Sequence, residues 1–295
     1  MRIYQGTFTV LITPFDADGG AVNEDALKRL VDWQIDEGIH GLVPNGSTGE
    51  FLSLTDDERG RVAEIVIRQA DKRAPVFVGT AAENTLDVVR YSREAERLGA
   101  DGVMIVPPFY STPTDDELYQ HYRTVADAVG IPIMLYNNPA TANVDMRPSL
   151  VARLSEIENV SYIKESTMDV TRVRDILRLS DGRMTVFGGI MGYESFLNGA
   201  LGWVAVGSNI APRAFADLHR LCVGNVDVPA ARALYHEILP VIELVGQHRY
   251  VTATKAALTE MGLPVGPPRP PRLPANAEER DWAVRTVREL SLTVT

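Results

Sequence analysis

The run Thr7-Phe8-Thr9-Val10-Leu11-Ile12 passes directly into Thr13-Pro14-Phe15-Asp16. A short β-branched apolar run of this kind reads as a buried strand, and the turn at its carboxyl end separates two ways of building a βα protein. A doubly wound open sheet favours a Gly-x-Gly-x-x-Gly turn after its first strand, where the backbone must approach a dinucleotide phosphate. Thr13-Pro14-Phe15-Asp16 holds no such turn, so a closed barrel is the expectation.

Working outward, the same kind of run recurs at Gly41–Pro44, Pro75–Gly79, Gly102–Val106, Ile133–Tyr136, Ser161–Lys164, Thr185–Phe187 and Trp203–Val206, giving eight in all. Continuous apolar strands are expected where helices cover both faces of a parallel sheet. The segments between them supply those helices. Asn23–Glu37 spaces Ala26, Leu27, Leu30, Val31 and Ile35 at helical intervals, and Thr55-Asp56-Asp57-Glu58 and Thr114-Asp115-Asp116-Glu117 are capping-box patterns. Gly38, Gly99, Gly130 and Gly202 precede the next strands and read as helix-terminating glycines. Eight βα units in the first 222 residues predict an α/β fold, a (β/α)8 TIM barrel over residues 1–222. Residues 223–295 are expected to form a C-terminal helical region packed on the barrel, from Pro229–Val245, Tyr250–Met261 and Ala277–Leu290. The proline-rich stretch Pro264–Pro271 reads as a stiff connector lying on the barrel, with a polyproline ligand for a partner as the other reading.

Composition narrows function. The 295 residues are 45% hydrophobic and 23% charged, an ordinary globular balance. With 29 Lys and Arg against 39 Asp and Glu, the net charge is -10, which disfavours a phosphate-binding surface for nucleic acid. The single cysteine, Cys222, rules out a disulfide framework and any multi-cysteine metal site, and fits a reducing cytoplasm. Met1–Gly6 lacks a signal-peptide profile and no apolar run is long enough to span a bilayer, so a cytoplasmic chain without a membrane partner is expected. The histidines His40, His121, His219, His236 and His248 fall in no ligand spacing, which disfavours a metal, and no Ser/His/Asp set gathers on the strand ends.

Reactive groups of a βα barrel sit at the carboxyl ends of the strands. Val160-Ser161-Tyr162-Ile163-Lys164-Glu165-Ser166 ends a buried strand with a lysine. Burial disfavours a charged amine, and a neutral amine can form an imine with a ketone or aldehyde. The other reading pairs Lys164 with a carboxylate such as Glu165. Tyr136 ends the preceding strand and is placed to relay a proton, or simply to cap the core. Pro44-Asn45-Gly46-Ser47-Thr48-Gly49-Glu50 is either a plain turn or a loop whose N–H groups hold an anion. It lacks the Gly-Lys-Ser/Thr ending of a nucleotide loop, so a small carboxylate suits it better. Pro107-Pro108-Phe109-Tyr110 adds a phenol to the same rim.

Together, Gly46-Ser47-Thr48-Gly49-Glu50, Tyr110 after two prolines, Tyr136-Asn137-x-Pro139 and Lys164 28 residues beyond Tyr136 resemble the dihydrodipicolinate synthase and N-acetylneuraminate lyase family. The resemblance runs from Gly6-Thr7 to Gly266-Pro267-Pro268-Arg269, nearly the whole chain. It implies a homotetrameric barrel enzyme, a dimer of dimers, in which Lys164 forms an imine with pyruvate or another 2-oxo acid, without metal or cofactor. It also implies that Ser47 and Thr48, with Gly49, hold the carboxylate and that Tyr136 relays protons. Tyr110 matches a tyrosine that reaches into a neighbouring subunit's site, and Gly189 and Val204 match positions lining the pyruvate side.

Three departures bear on substrate. Thr141 stands in Ala140-Thr141-Ala142-Asn143 where synthases carry an arginine, and Ser47 replaces a threonine. Gly189 is followed by Ile190-Met191-Gly192, where sialic acid lyases place acidic residues for sugar hydroxyls. The expectation is therefore a lyase that cleaves, condenses, dehydrates or deaminates a small 2-oxo acid through an enamine, with Asn138, Thr141 and Ser166 touching the variable part of the substrate. 4-Hydroxy-tetrahydrodipicolinate synthase, which condenses pyruvate with aspartate semialdehyde, is the nearest alternative. A non-catalytic 2-oxo acid binding protein is the alternative of another class.

Overall fold

A computed structural model describes residues 3–294. Met1 and Arg2, part of the segment read for a signal sequence, lie outside the described residues, as does Thr295. The strands are β1 (Gly6–Val10), β2 (Gly41–Val43), β3 (Phe77–Gly79), β4 (Gly102–Ile105), β5 (Ile133–Asn137), β6 (Val160–Glu165), β7 (Thr185–Gly188) and β8 (Gly202–Ala205). Helices α1 (Glu24–Asp36), α2 (Asp56–Ala70), α3 (Thr85–Leu98), α4 (Asp115–Ala126), α5 (Pro139–Ala142), α6 (Pro148–Leu154), α7 (Thr171–Leu179), α8 (Gly192–Leu197) and α9 (Pro212–His219) alternate with them. The strand order is β2-β1-β8-β7-β6-β5-β4-β3, and a parallel bridge from Leu42 in β2 to Val76, just before β3, joins the two ends of that order. The fold is a (β/α)8 barrel, followed by a helical extension of α10 (Val228–Glu237), α11 (Leu239–Val245), α12 (Tyr250–Glu260) and α13 (Ala277–Glu289). No described helix is long and apolar enough to cross a membrane.

Contacts group the chain into two compact units, Phe77–Val204 with the residues before β1, and Gly6–Val76 with the chain from Ala205 onward. Within each unit the strands are buried on both faces, as the unbroken apolar runs require. One packing device repeats. Phe8 is the register partner of Gly41, Phe77 of Gly102 and Phe187 of Gly202, and a Cβ on any of these glycines would overlap the partner's ring. Each phenylalanine thus lies across the neighbouring strand where a side chain is missing.

The helix starts match the sequence closely. Asn23 caps α1, and Thr55 and Thr114 form complete capping boxes with Glu58 and Glu117. The helix ends differ at two of the four glycines. Gly38 and Gly99 are left-handed, but Gly130 is not, and Gly202 begins β8, where its bareness accommodates Phe187. The left-handed residue after α8 is Gly199. The helix expected over Pro229–Val245 is two helices meeting at Ile238, because Pro240 lacks an N–H and belongs in a first turn.

Candidate active site

β5 and β6 pair with Tyr136 opposite Lys164 and Asn137 opposite Glu165. Parallel register therefore places the phenol and the amine side by side at the carboxyl ends of adjacent strands. Lys164 is only 5% exposed, and its Nζ lies 4.0 Å from the centroid of the Tyr136 ring. No described carboxylate forms an ion pair with it. Glu165, the partner that the sequence offered, is occupied elsewhere: it accepts from Asn137 Nδ2 at 3.1 Å and from the Thr167 N–H at 2.9 Å. Burial pushes its carboxyl above the ordinary value, against those hydrogen bonds.

Asn137 is wholly buried, and sequence reasoning passed over it. Its Nδ2 also reaches Asp145 Oδ1 at 3.2 Å, and its Oδ1 accepts from the Met146 N–H at 3.0 Å. Arg172 grips both oxygens of Asp145 at 2.6 Å, and that hydrogen-bonded guanidinium holds the Asp145 carboxyl below its usual range. These bonds fix the chain just beyond Tyr136 and just beyond Lys164. Its position next to Tyr136 was the one signal that could have found Asn137.

Asn138 donates from Nδ2 to the Tyr136 hydroxyl oxygen at 3.1 Å, so its amide orients the phenol. Its buried Oδ1 has no partner in the structure. Ser166 Oγ is likewise buried without a partner, against Gly189, where a Cβ would overlap it. The Gly189 N–H donates to the Glu165 carbonyl at 2.7 Å, and its carbonyl accepts from Trp203 Nε1 at 3.0 Å. Val204 is fully buried in β8. Thr141 is exposed on α5, its hydroxyl donating to the Asn138 carbonyl at 3.3 Å.

Tyr110 is 87% exposed, and the Phe109 carbonyl beside it accepts from Asn143 Nδ2 at 3.1 Å. Its loop is anchored by Glu83, another residue without a sequence signal, whose carboxylate accepts the N–H groups of Phe109, Tyr110 and Ser111 at 2.9, 3.0 and 2.9 Å. Burial opposes ionisation of Glu83, yet these hydrogen bonds prevail and lower it to about 2.

In the other compact unit the Asn45–Glu50 loop is folded by its own hydrogen bonds. Asn45 and Glu50 are both left-handed, the Glu50 N–H donates to the Ser47 carbonyl at 3.2 Å, and Thr13 Oγ1 donates to the Gly49 carbonyl at 2.7 Å. Thr48 is buried and Ser47 half-buried. Among the described residues, no group of three or more His, Cys, Asp or Glu is arranged to hold a metal ion.

A βα barrel with a buried lysine against a phenol at its strand ends holds the groups that imine chemistry on a carbonyl compound would need. A sequence model of the dihydrodipicolinate synthetase family matches residues 3–290, and the chain belongs to that family. It is 38% identical over 282 residues, 91% of this chain and 94% of the relative, to the 4-hydroxy-tetrahydrodipicolinate synthase of Syntrophobacter fumaroxidans. It is 38% identical over 264 residues to the enzyme of the same name from Pelobacter propionicus, covering 88% of this chain and 90% of the relative. Among solved structures, dihydrodipicolinate synthase from Acinetobacter baumannii, complexed with pyruvate, superimposes with a TM-score of 0.94 at 33% identity, covering 98% and 100% of the two chains.

Proposed function

We propose that this lyase forms an imine between Lys164 and pyruvate and condenses the resulting enamine with aspartate semialdehyde, the reaction of a 4-hydroxy-tetrahydrodipicolinate synthase. The observation that carries the imine step is the placement of Lys164, buried, without a carboxylate partner and against Tyr136. The choice of second substrate rests on the names of the relatives.

The Lys164 amine adds to the ketone carbon, and the carbonyl oxygen leaves as water once protonated. Tyr136 is assigned to carry that proton, its hydroxyl held by Asn138. The protonated imine is an electron sink, so the neighbouring methyl carbon loses a proton to give an enamine. That carbon attacks the aldehyde, whose oxygen takes up a proton as the new carbon–carbon bond forms, and the semialdehyde's amine then adds to the imine carbon and displaces the Lys164 amine, closing the ring and freeing the lysine. Ser47, Thr48 and Gly49 are assigned to the 2-oxo acid's carboxylate, and Gly189 and Val204 to the pyruvate side, on the family resemblance. Tyr110 is assigned to a neighbouring subunit's site in a homotetramer.

The test is borohydride reduction in the presence of pyruvate, followed by peptide mapping. The expected result is a pyruvate-derived adduct on Lys164, absent from Lys164→Arg, whose turnover falls by roughly four orders of magnitude or more with the fold intact. A folded protein with no adduct, or an active Lys164→Arg variant, refutes the imine. A coupled assay with pyruvate and aspartate semialdehyde then tests the synthase step. Thr141, exposed where synthases carry an arginine, favours a second reading: aldol cleavage, dehydration or deamination of another short 2-oxo acid. A negligible synthase rate beside turnover of such an acid would decide for it.

A further inference from the structure

Behind the Ser47-Thr48 loop lies a buried ionic cluster for which the imine chemistry has no use. Glu50, the last residue of that loop, has a side chain with no exposed surface. Its Oε1 is 2.8 Å from Nζ of Lys255, a residue of α12 that is itself 2% exposed. Its Oε2 accepts the Arg269 N–H at 2.9 Å and lies 4.0 Å from the Arg272 guanidinium. Lys255 also donates to the Pro267 carbonyl at 3.1 Å. Three features of the C-terminal extension therefore converge on one carboxylate at the end of the loop.

The same extension holds the loop's other neighbours. The Arg269 guanidinium bonds both oxygens of Glu58 at 2.6 and 2.7 Å, the Ser53 carbonyl at 2.9 Å, and the Gly19 and Gly20 carbonyls at 3.1 and 2.8 Å. Both cations lie against Phe15, its ring centroid 4.1 Å from Lys255 Nζ and 4.2 Å from the Arg269 guanidinium carbon. The Phe15 N–H donates to the Val265 carbonyl at 2.9 Å, and Gly266 is left-handed where a Cβ would overlap the Phe15 carbonyl. Glu50 itself is left-handed, a conformation costly for a residue with a Cβ that persists when its surroundings enforce it. Burial lowers the Lys255 amine to about 8, and Glu50 works against that fall.

We infer that Lys255 is a positioning residue for the substrate carboxylate: through Glu50 it fixes the backbone of the Ser47-Thr48-Gly49 loop, making the C-terminal extension part of the binding apparatus. The Glu50 N–H closes directly on the Ser47 carbonyl, so movement of Glu50 re-aims the N–H groups that the proposed function assigns to the carboxylate. Such groups bind well only when held in place beforehand. This inference rests on the proposed function.

Lys255→Met alone takes from the buried Glu50 carboxylate its partner at 2.8 Å, leaving only the Arg269 N–H and the more distant Arg272, and can unfold the chain. The working variant is therefore the charge-free pair Glu50→Gln with Lys255→Met, alongside Glu50→Gln, which keeps the side chain's shape and one of its two acceptor oxygens. Borohydride trapping on Lys164 is titrated with pyruvate, and steady-state rates are measured across the same range. The expected result is a half-saturating pyruvate concentration raised about 10- to 100-fold in the double variant, with KM rising far more than kcat falls, and a partial recovery in Glu50→Gln. A double variant with native circular dichroism and an unchanged half-saturation point overturns the inference. Equal losses in kcat and KM, tracking loss of fold, would also overturn it. Absence of trapping in the unmodified protein would instead refute the imine itself, so the two failures are distinguishable.

Discussion

Lys164 keeps its amine against the Tyr136 ring while Glu165, one residue on, turns into hydrogen bonds with Asn137 and Thr167. Neighbours in a strand point to opposite faces, so a lysine and a glutamate in succession are separated by the pleat. That alternation is why the ion pair conceivable from sequence does not form. Tyr136→Phe isolates the role of the hydroxyl, since the ring beneath the amine remains. The expected outcome is a kcat lowered by about 10²- to 10⁴-fold, with imine trapping slowed and thermal stability nearly unchanged. Stopped-flow trapping and a melting curve check it, and a fall in stability matching the loss of rate would show the phenol to be structural.

At the scale of elements, the strands interlock through phenylalanines laid over glycines, and the loops are held by carboxylates. Gly102→Ala drives a methyl group into Phe77 and should destabilise the fold by about 1–3 kcal/mol, measurable by denaturant unfolding. Glu83 governs the loop that carries Tyr110. Its folded-state pKa lies at about 2, below the ordinary 4.5, so its contribution is complete above the ordinary value and is lost as pH falls toward 2. Amide exchange at Phe109, Tyr110 and Ser111 should accelerate at least about tenfold in Glu83→Ala, the loss of roughly one charge-assisted hydrogen bond. In the unmodified chain the same amides should lose protection selectively as the pH falls through that window. Unchanged exchange in the variant would refute the anchoring role.

At the scale of the whole molecule, a tyrosine 87% exposed at the end of an anchored loop is poorly explained by the single chain. If Tyr110 completes a neighbour's site, the active species is an oligomer, and dilution should reduce specific activity in step with dissociation monitored by sedimentation. A fully active monomer would exclude that assignment.

The sequence by itself determined the strand count, the starts of the capped helices and the place of Lys164 at a strand end, because hydrophobic periodicity and capping are local and the lysine interrupts an apolar run. It placed all eight strands within two residues of where they lie. It misread Gly202, whose lack of a side chain answers to Phe187 on another strand rather than to a helix end. It carried Asn137 only as part of the Tyr136-Asn137-x-Pro139 pattern, without a role, and was silent on Glu83 and on the pairing of Glu50 with Lys255, 205 positions apart in the chain. Tertiary structure alone decided these, since a buried polar group is defined by the partner that satisfies it, and residue type and spacing do not specify which distant partner that is.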